Sequence, residues 1–466
     1  MIPVSLFAGR KLAIVGAGLS GLATARSLQE GGADVVIWDD KEAARQEAAQ
    51  AGFAVEDLSD VDFDVFSALI LAPGIPLTYP RAHWSVIKAR AAGIEVIGDV
   101  ELFFRAREAS GIACPVVAIT GTNGKSTTTA LTAHLLEVAG SDVALGGNIG
   151  KAVLDLAPFA TGRVYVLELS SYQIDLTPSL CPDAAALLNI TPDHLDRHGS
   201  FDEYASVKAR IFAQLGSGAT AVIGVDDAPC RAIAETLDGP YTVKRVSVGN
   251  AVQNGVCAAD STLMEMEGGK EVARIDLAGI GSLRGAHNWQ NAATAYALAR
   301  SQNVEPRTLQ AGLRSFGGLA HRMEQVARVG KVLFVNDSKA TNADAAGKAL
   351  GSFDNIYWIV GGVAKDGGLA GLERYYPQIE RAYLIGDASD AFAAQLGDAL
   401  PSIACGTLDR AIDQAADDAS RSQAPEPVVL LSPACASFDQ YPNFAARGDA
   451  FKQLVMQRNG VASLSE

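Results

Sequence analysis

The chain has 466 residues, enough at roughly 150 residues per domain for about three domains, each with its own core. Hydrophobic residues at 48% and charged residues at 20% exclude a disordered or fibrous chain. With 53 acidic against 38 basic residues the net charge is −15, so no basic field is available to neutralise a nucleic acid backbone, although backbone N–H groups and a few cations can still hold phosphates. Cys114, Cys181, Cys230, Cys257, Cys405 and Cys435 form no C-x-x-C or zinc spacing and read as reduced thiols. No leader pattern precedes Lys11 and no apolar run approaches 18 residues, so a cytoplasmic protein without membrane insertion is expected.

In chain order, short apolar runs at Leu12–Val15, Val35–Trp38, Leu69–Leu71, Val116–Ile119, Val164–Leu169, Ala185–Ile190 and Ala221–Val225 are separated by glycine turns and alanine-rich helical text. That rhythm predicts parallel βαβ units buried on both faces. From Tyr241 to Ile280 the text turns polar, and Thr242–Val248 and Val272–Leu277 read as antiparallel hairpin strands at a sheet edge or in a flap. A helix is predicted over Asn288–Ser301, after which Val332–Val335, Ile356–Val360, Ala382–Ile385 and Val428–Leu431 resume the α/β rhythm. The expected architecture is α/β in three domains: a Rossmann-like nucleotide-diphosphate domain over 1–105, a P-loop ATPase-like domain over 106–318 and a Rossmann-like domain over 319–466.

The sharpest motif is Val117-Ala-Ile-Thr-Gly121-Thr122-Asn123-Gly124-Lys125-Ser126-Thr127, a buried strand entering a glycine turn and a helix. Glycines let backbone N–H groups surround phosphate oxygens, Lys125 can reach the β- and γ-phosphates, and Ser126 can ligate Mg²⁺, so the segment predicts an ATP or GTP site. The longer P-loop form would have glycine where Ile119 stands. Glu168 ends the apolar run Tyr165-Val-Leu-Glu, where a buried carboxylate calls for a cation. Two aspartates and two histidines crowd Asp193-His194-Leu-Asp196-Arg197-His198, a pattern equally open to a ligand role and a plain loop. By composition Lys208 is a solvated lysine on the helical stretch Phe201–Phe212. At the N-terminus, Gly16-Ala-Gly18-Leu19-Ser20-Gly21 with Asp39 after the next strand fits the G-x-G-x-x-G fingerprint for a diphosphate and its acidic ribose partner.

Together, Thr120-Gly-Thr-Asn-Gly-Lys-Ser, Gly147-Asn148-Ile-Gly, Leu167-Glu-Leu-Ser170-Ser, Asp193-His-Leu-Asp, Gly285-Ala-His-Asn288-Trp-Gln-Asn291 and His321-Arg322 resemble the Mur ligases, the ATP-dependent amino-acid-adding enzymes of bacterial cell-wall precursor synthesis, in the family's order. Asn336-Asp337-Ser-Lys339-Ala-Thr341-Asn and Ser432-Pro-Ala-Cys-Ala-Ser437-Phe438-Asp-Gln-Tyr are similar to the member that adds D-glutamate. The resemblance implies attack of the carboxylate of UDP-N-acetylmuramoyl-L-alanine on the ATP γ-phosphate, an acyl phosphate, and its capture by D-glutamate. It implies two Mg²⁺ ions, one on Ser126 and Glu168, the other on His194 and a carbamylated Lys208, with Lys125 on the phosphates. It also implies Asn288 and Asn291 at the adenine, Arg322 at the phosphates and Asp337 at the ribose. The UDP substrate would meet Gly18, Leu19, Ser20, Asp39, Gly74, Asn148 and Ser170; D-glutamate would meet Lys339, Thr341, Lys365, Ser437, Phe438 and Phe444. Relatives of this subtype often carry threonine and arginine where this chain has Asp40 and Lys41. A monomer is expected. Rival readings are a nicotinamide or flavin oxidoreductase built on Gly16–Gly21, a noncatalytic nucleotide switch, and a neighbouring ligase adding another amino acid.

Overall fold

The computed structural model describes residues 1–458 and 460–464. Its chain divides into two compact units: Met1–Ala278 with Trp289–Arg314, and Gly279–Asn288 with the chain from Ser315 onward.

The first unit holds two sheets. Apolar β-branched runs with both faces covered form a five-stranded parallel sheet in the order Ala54–Val55, Asp34–Trp38, Lys11–Val15, Ala68–Leu71, Glu95–Ile97. The winding reverses beside Lys11–Val15, which opens a crevice above the carboxyl ends of that strand and Ala68–Leu71, and both Gly16–Gly21 and Ala72–Ile75 leave the sheet there. The second sheet has nine strands in the order Lys270–Asp276, Thr262–Glu267, Gly255–Ala259, Thr242–Val248, Thr220–Gly224, Ala184–Leu187, Val116–Thr120, Val164–Glu168, Val143–Gly147. Thr242–Val248 is not a hairpin strand: it runs parallel to both Thr220–Gly224 and Gly255–Ala259, and antiparallel pairing begins only between Gly255–Ala259 and Thr262–Glu267. Polar and apolar alternation reports one covered face and is silent on strand direction.

The helix Asp99–Ser110 runs through the expected 105/106 border. Its Val100, Leu102, Phe103, Phe104 and Ala106 share one apolar core with Leu12, Ile14 and Val35 of the first sheet and Val116, Tyr165 and Leu187 of the second. Phe103 packs edge-on against Phe104 and Tyr165, with ring centroids 5.4 and 5.2 Å apart.

In the second unit a seven-stranded sheet is ordered Ser402–Gly406, Ile379–Ile385, Ile356–Gly361, Val428–Leu431, Val332–Asn336, Glu324–Val329, Val461–Ser463, the first five parallel and the last two antiparallel. Successive residues of the central strands feed opposite cores. Leu430 and Trp358 join Ala346, Leu350 and Phe392 on one face, whereas Val429, Leu431 and Ile359 join Ile412, Ala415 and Phe451 on the other. The three-sheet α/β architecture is the one the sequence predicts. No helix among the described residues is long and apolar enough to cross a membrane.

Candidate active site

The phosphate loop is held by its own first unit from several sides. Val116–Thr120 is wholly buried, Gly121 and Gly124 take φ values of +155° and +83°, and the helix Lys125–Val138 starts directly after Gly124. A side chain at Gly124 would be strained at that φ and would run into the Asn291 amide. Thr122 N–H donates to Asn189 O (2.8 Å) and Asn123 N–H to Asn189 Oδ1 (2.9 Å), while Thr128 Oγ1 donates to Asn291 Oδ1 (3.2 Å). Lys125 Nζ folds back on the carbonyls of Gly121 (3.0 Å) and Thr122 (2.8 Å). Ser126 and Thr127 occupy the first turn, whose N–H groups point along the helix dipole at the cradle.

Lys208 is not the solvated lysine its composition suggests. It is 2% exposed, with Nζ donating to Gly121 O at 2.9 Å and to Thr120 Oγ1 at 3.3 Å, and lying 4.9 Å from the Tyr204 ring centre. Burial and then repulsion from Lys125 pull its pKa down to about 7, against weaker pulls from Asp193, Cys230 and Glu168. Glu168, 2% exposed at the end of Val164–Glu168, accepts from Asn148 Nδ2 through Oε1 (2.8 Å). Its Oε2 is buried with no hydrogen-bond partner. A buried orphan carboxylate oxygen is costly in water-free surroundings and is what a hard cation ligates, so these donors fit Mg²⁺.

The crowded 193–198 segment splits by role. His194 is half exposed, in a left-handed conformation (φ 51°), beside Asp193 at 3.5 Å. His198 is buried against Ser171 Oγ (2.9 Å), and burial lowers its pKa, so it is part of the scaffold. Among the described residues no three His, Cys, Asp or Glu side chains gather as a metal cage. Ser170 caps the helix Ser171–Asp175, in a capping box with Gln173.

At the first sheet, Gly16 has φ +102°, Gly18 precedes the helix Leu19–Glu30, and a Cβ at Gly21 would collide with the Gly16 carbonyl oxygen. Gly18, Leu19 and Gly74 are exposed at the switch point, with open space around both glycines. Ser20 Oγ donates to buried Asp99 at 2.5 Å. Asp39 accepts the N–H groups of Ala17 (2.8 Å) and Lys41 (2.9 Å), so it holds the glycine turn as well as flanking it. Asp40 turns to His83 (2.9 Å), Trp38 Nε1 (3.2 Å) and Trp84 Nε1 (3.4 Å), which together hold its pKa low despite the cost of burial. Its charge is spent on this cluster.

In the second unit, Asn288 Nδ2 donates to Arg284 O (3.0 Å), and buried Asp337 accepts from Met323 N–H (3.2 Å) and Ser432 Oγ (2.8 Å). Burial raises the Asp337 pKa to about 7. Arg322 is half buried, in a turn where His321 and Met323 take φ values of 64° and 46°. Three loops at the carboxyl ends of the strands carry the amino-acid candidates. Lys339 lies over the Phe444 ring (Nζ to centroid 4.0 Å) and Thr341 is half buried nearby in sequence. Ser437 is 2% exposed, Phe438 is 75% exposed and Lys365 is exposed. Asn189 and Arg447 escaped the sequence reading. Asn189 had a legible signal, an amide directly after an apolar strand and two residues before Thr191-Pro192.

Comparison with known proteins agrees with this layout. Residues 119–299 match the Mur ligase middle domain, residues 321–435 the glutamate ligase domain of Mur ligases, and residues 6–74, a stretch that includes the Gly16–Gly21 turn, the NADPH-binding domain of acetohydroxy acid isomeroreductase. The fold is thus that of a three-part nucleotide-dependent ligase. Solved structures of UDP-N-acetylmuramate-alanine ligase from Thermotoga maritima (TM-score 0.57, 17% identity, 95% of this chain and 98% of that one) and of a pseudomurein peptide ligase type C from Methanothermus fervidus (0.54, 16%, 96% and 100%) share it. The chain is 54% identical over 465 residues to UDP-N-acetylmuramoylalanine--D-glutamate ligase of Rhizobium meliloti, covering 100% of both. It is 55% identical over 464 residues to the protein of that name in Rhodopseudomonas palustris, covering 99% of both. The chain belongs to the Mur ligase family.

Proposed function

We propose that this chain is an ATP-dependent carbon–nitrogen ligase that joins D-glutamate to UDP-N-acetylmuramoyl-L-alanine in peptidoglycan precursor synthesis, working as a cytoplasmic monomer. One observation carries the reading: Lys125 and buried Lys208 converge on the Gly121 carbonyl beside a buried, half-satisfied Glu168, in a chain aligned end to end with ligases of that name. A carboxylate attacking a polyanion needs its repulsion cancelled by fixed positive charge, which Lys125 supplies from the phosphate loop and which Glu168 and a carbamylated Lys208 would bring beside it by holding Mg²⁺.

The division of labour follows the three sheets, as 1–105 for the UDP substrate, 106–318 for ATP and 319–466 for the amino acid. Gly18, Leu19 and Ser20 present N–H groups to the UDP diphosphate, and Asp39 keeps their turn closed. Gly121 to Thr127 cradle the ATP phosphates and Lys125 swings from its loop carbonyls to the γ-phosphate. Ser126, Glu168, His194 and a carbamylated Lys208 would hold two Mg²⁺ ions, which when bound neutralise the phosphate oxygens. An amine poised near neutrality is the form that takes up CO₂. Asn148, holding Glu168, and Ser170 face the muramyl end. Asn288, Asn291, Arg322 and Asp337 take adenosine. Lys339, Thr341, Lys365, Ser437, Phe438 and Phe444 receive D-glutamate, whose amine captures the acyl phosphate away from water.

The test is phosphate release by purified protein with ATP, Mg²⁺ and UDP-N-acetylmuramoyl-L-alanine, comparing D-glutamate with L-glutamate, L-alanine, meso-diaminopimelate and no amino acid. Release that requires D-glutamate, with the matching mass gain in the UDP product, is expected. Equal release with all four additions would overturn the acceptor.

A further inference from the structure

Arg447 lies on the helix Phe444–Met456 and is 1% exposed. A buried guanidinium ordinarily meets a carboxylate, because stripping its water without a counter-charge is strongly unfavourable. Here no carboxylate lies within ion-pair distance among the described residues: Asp439, which acts on it through space, accepts the Asp387 N–H at 3.2 Å instead. All of its partners are neutral oxygens. Nε donates to Ser338 Oγ (3.0 Å), Nη2 to Ser338 O (2.9 Å) and Cys435 O (3.0 Å), and Nη1 to Ala436 O (3.4 Å) and Gly361 O (3.5 Å). The planar fork has five N–H groups and five acceptors here, which a lysine's three donors on a flexible stem cannot reproduce.

Those acceptors come from three strand ends and the loops they open into: Ser338 just after Val332–Asn336, Gly361 as the last residue of Ile356–Gly361, and Cys435 and Ala436 after Val428–Leu431. They are the loops that carry Lys339 and Thr341, Lys365, and Ser437. Ser338 Oγ, gripped by Arg447, also donates to Phe444 O at 2.8 Å, and the Phe444 ring lies under Lys339. Gly362 makes room for the arrangement: a Cβ there would collide with Ala436 O and come within 3.2 Å of Arg447 Nη1.

We propose that Arg447 is the positioning residue of the amino-acid site: it locks the three acceptor loops into one cradle and leaves behind them a buried positive charge with no carboxylate in ion-pair contact, which favours an acceptor with two carboxylates over one with a single carboxylate. The inference rests on the reading of these loops as the D-glutamate site. The guanidinium has no ion-paired carboxylate and feels Asp439 only through space, so the acceptor's second carboxylate adds the nearer counter-charge when it arrives in the cradle, through the loop dipoles the guanidinium orients.

The experiment compares wild type, Arg447→Met and Arg447→Lys, measuring KM for ATP, the UDP substrate and D-glutamate, and kcat/KM with D-glutamate against D-glutamine. For Arg447→Met the KM for D-glutamate should rise at least 30-fold and the D-glutamate to D-glutamine ratio fall at least tenfold, with the other two KM values within twofold. Arg447→Lys keeps the charge and loses the fork, so KM for D-glutamate should rise about tenfold with the ratio retained. A merely structural role would move all three KM values together or leave the ratio of Arg447→Met at the wild-type value, and either result overturns the proposal. If Arg447→Met does not fold, Arg447→Lys decides alone: a raised KM for ATP equal to that for D-glutamate, or an unchanged KM for D-glutamate, overturns it. Failure of wild type to use D-glutamate would instead strike the functional reading beneath.

Discussion

The first unit contains the same device twice. In each case a buried strand runs into a glycine turn and on into a helix whose N-terminal N–H groups are placed to meet an anion, at Gly16–Gly21 and at Gly121–Lys125. The surroundings differ in charge. Around the first turn the acidic groups Asp39 and Asp99 hold the loop by hydrogen bonds, which leaves backbone N–H groups as the donors the turn offers to the proposed diphosphate. Around the second, two lysines sit on the loop carbonyls and a buried carboxylate oxygen waits unpaired. A dipole cradle is enough to dock a diphosphate that does not react, whereas transfer of a phosphoryl group needs charge held beside the reacting oxygens.

Four substitutions would break or sharpen that contrast. Lys125→Ala should lower turnover about 10³-fold while the affinity for the UDP substrate, measured by calorimetry, stays within twofold. Lys208→Ala should lose about 10²-fold in rate, which bicarbonate does not restore and formate or acetate partly does; an unchanged rate would remove the carbamate role. Gly21→Ala should do the reverse of the lysine variants, raising the KM for the UDP substrate about tenfold by forcing the turn off the Gly16 carbonyl, with ATP affinity untouched. Asp337→Asn bears on neither turn and should act mainly through pH. The native carboxyl keeps its proton up to about pH 7 whereas the unfolded one loses it near 3.8, so this group costs wild type stability progressively as pH rises from 4 to 7 and by a constant amount above. The variant should therefore gain on wild type over that window by at most about 1.4 kcal/mol per pH unit, read from denaturant unfolding.

Both glycine turns, Glu168 and the three-sheet architecture were legible because each rests on local pattern: strand period, glycine spacing and a carboxylate ending an apolar run. What escaped rests on contacts between distant segments. Lys208 reads as a surface lysine on its own helix and is buried only because Phe201–Ala209 packs over the phosphate loop. Arg447 has the one weak signal of an arginine followed by glycine in the helix Phe444–Met456, and its five acceptors lie 86 to 109 residues away in three cases and 11 to 12 in the other two. Thr242–Val248 was misjudged in direction because alternation carries none.

The helix Asp99–Ser110 gives the two sheets of the first unit one continuous core, so neither should open to solvent without the other. Free energy delivered to the first sheet by a bound ligand is then shared by the second. At one hundred times its dissociation constant, a ligand of the Gly16–Gly21 turn adds about 2.7 kcal/mol to global opening of the unit. Amide hydrogens of Val116–Thr120, on the other sheet, should accordingly exchange up to about 100-fold more slowly in the presence of UDP substrate alone, before any ATP is added.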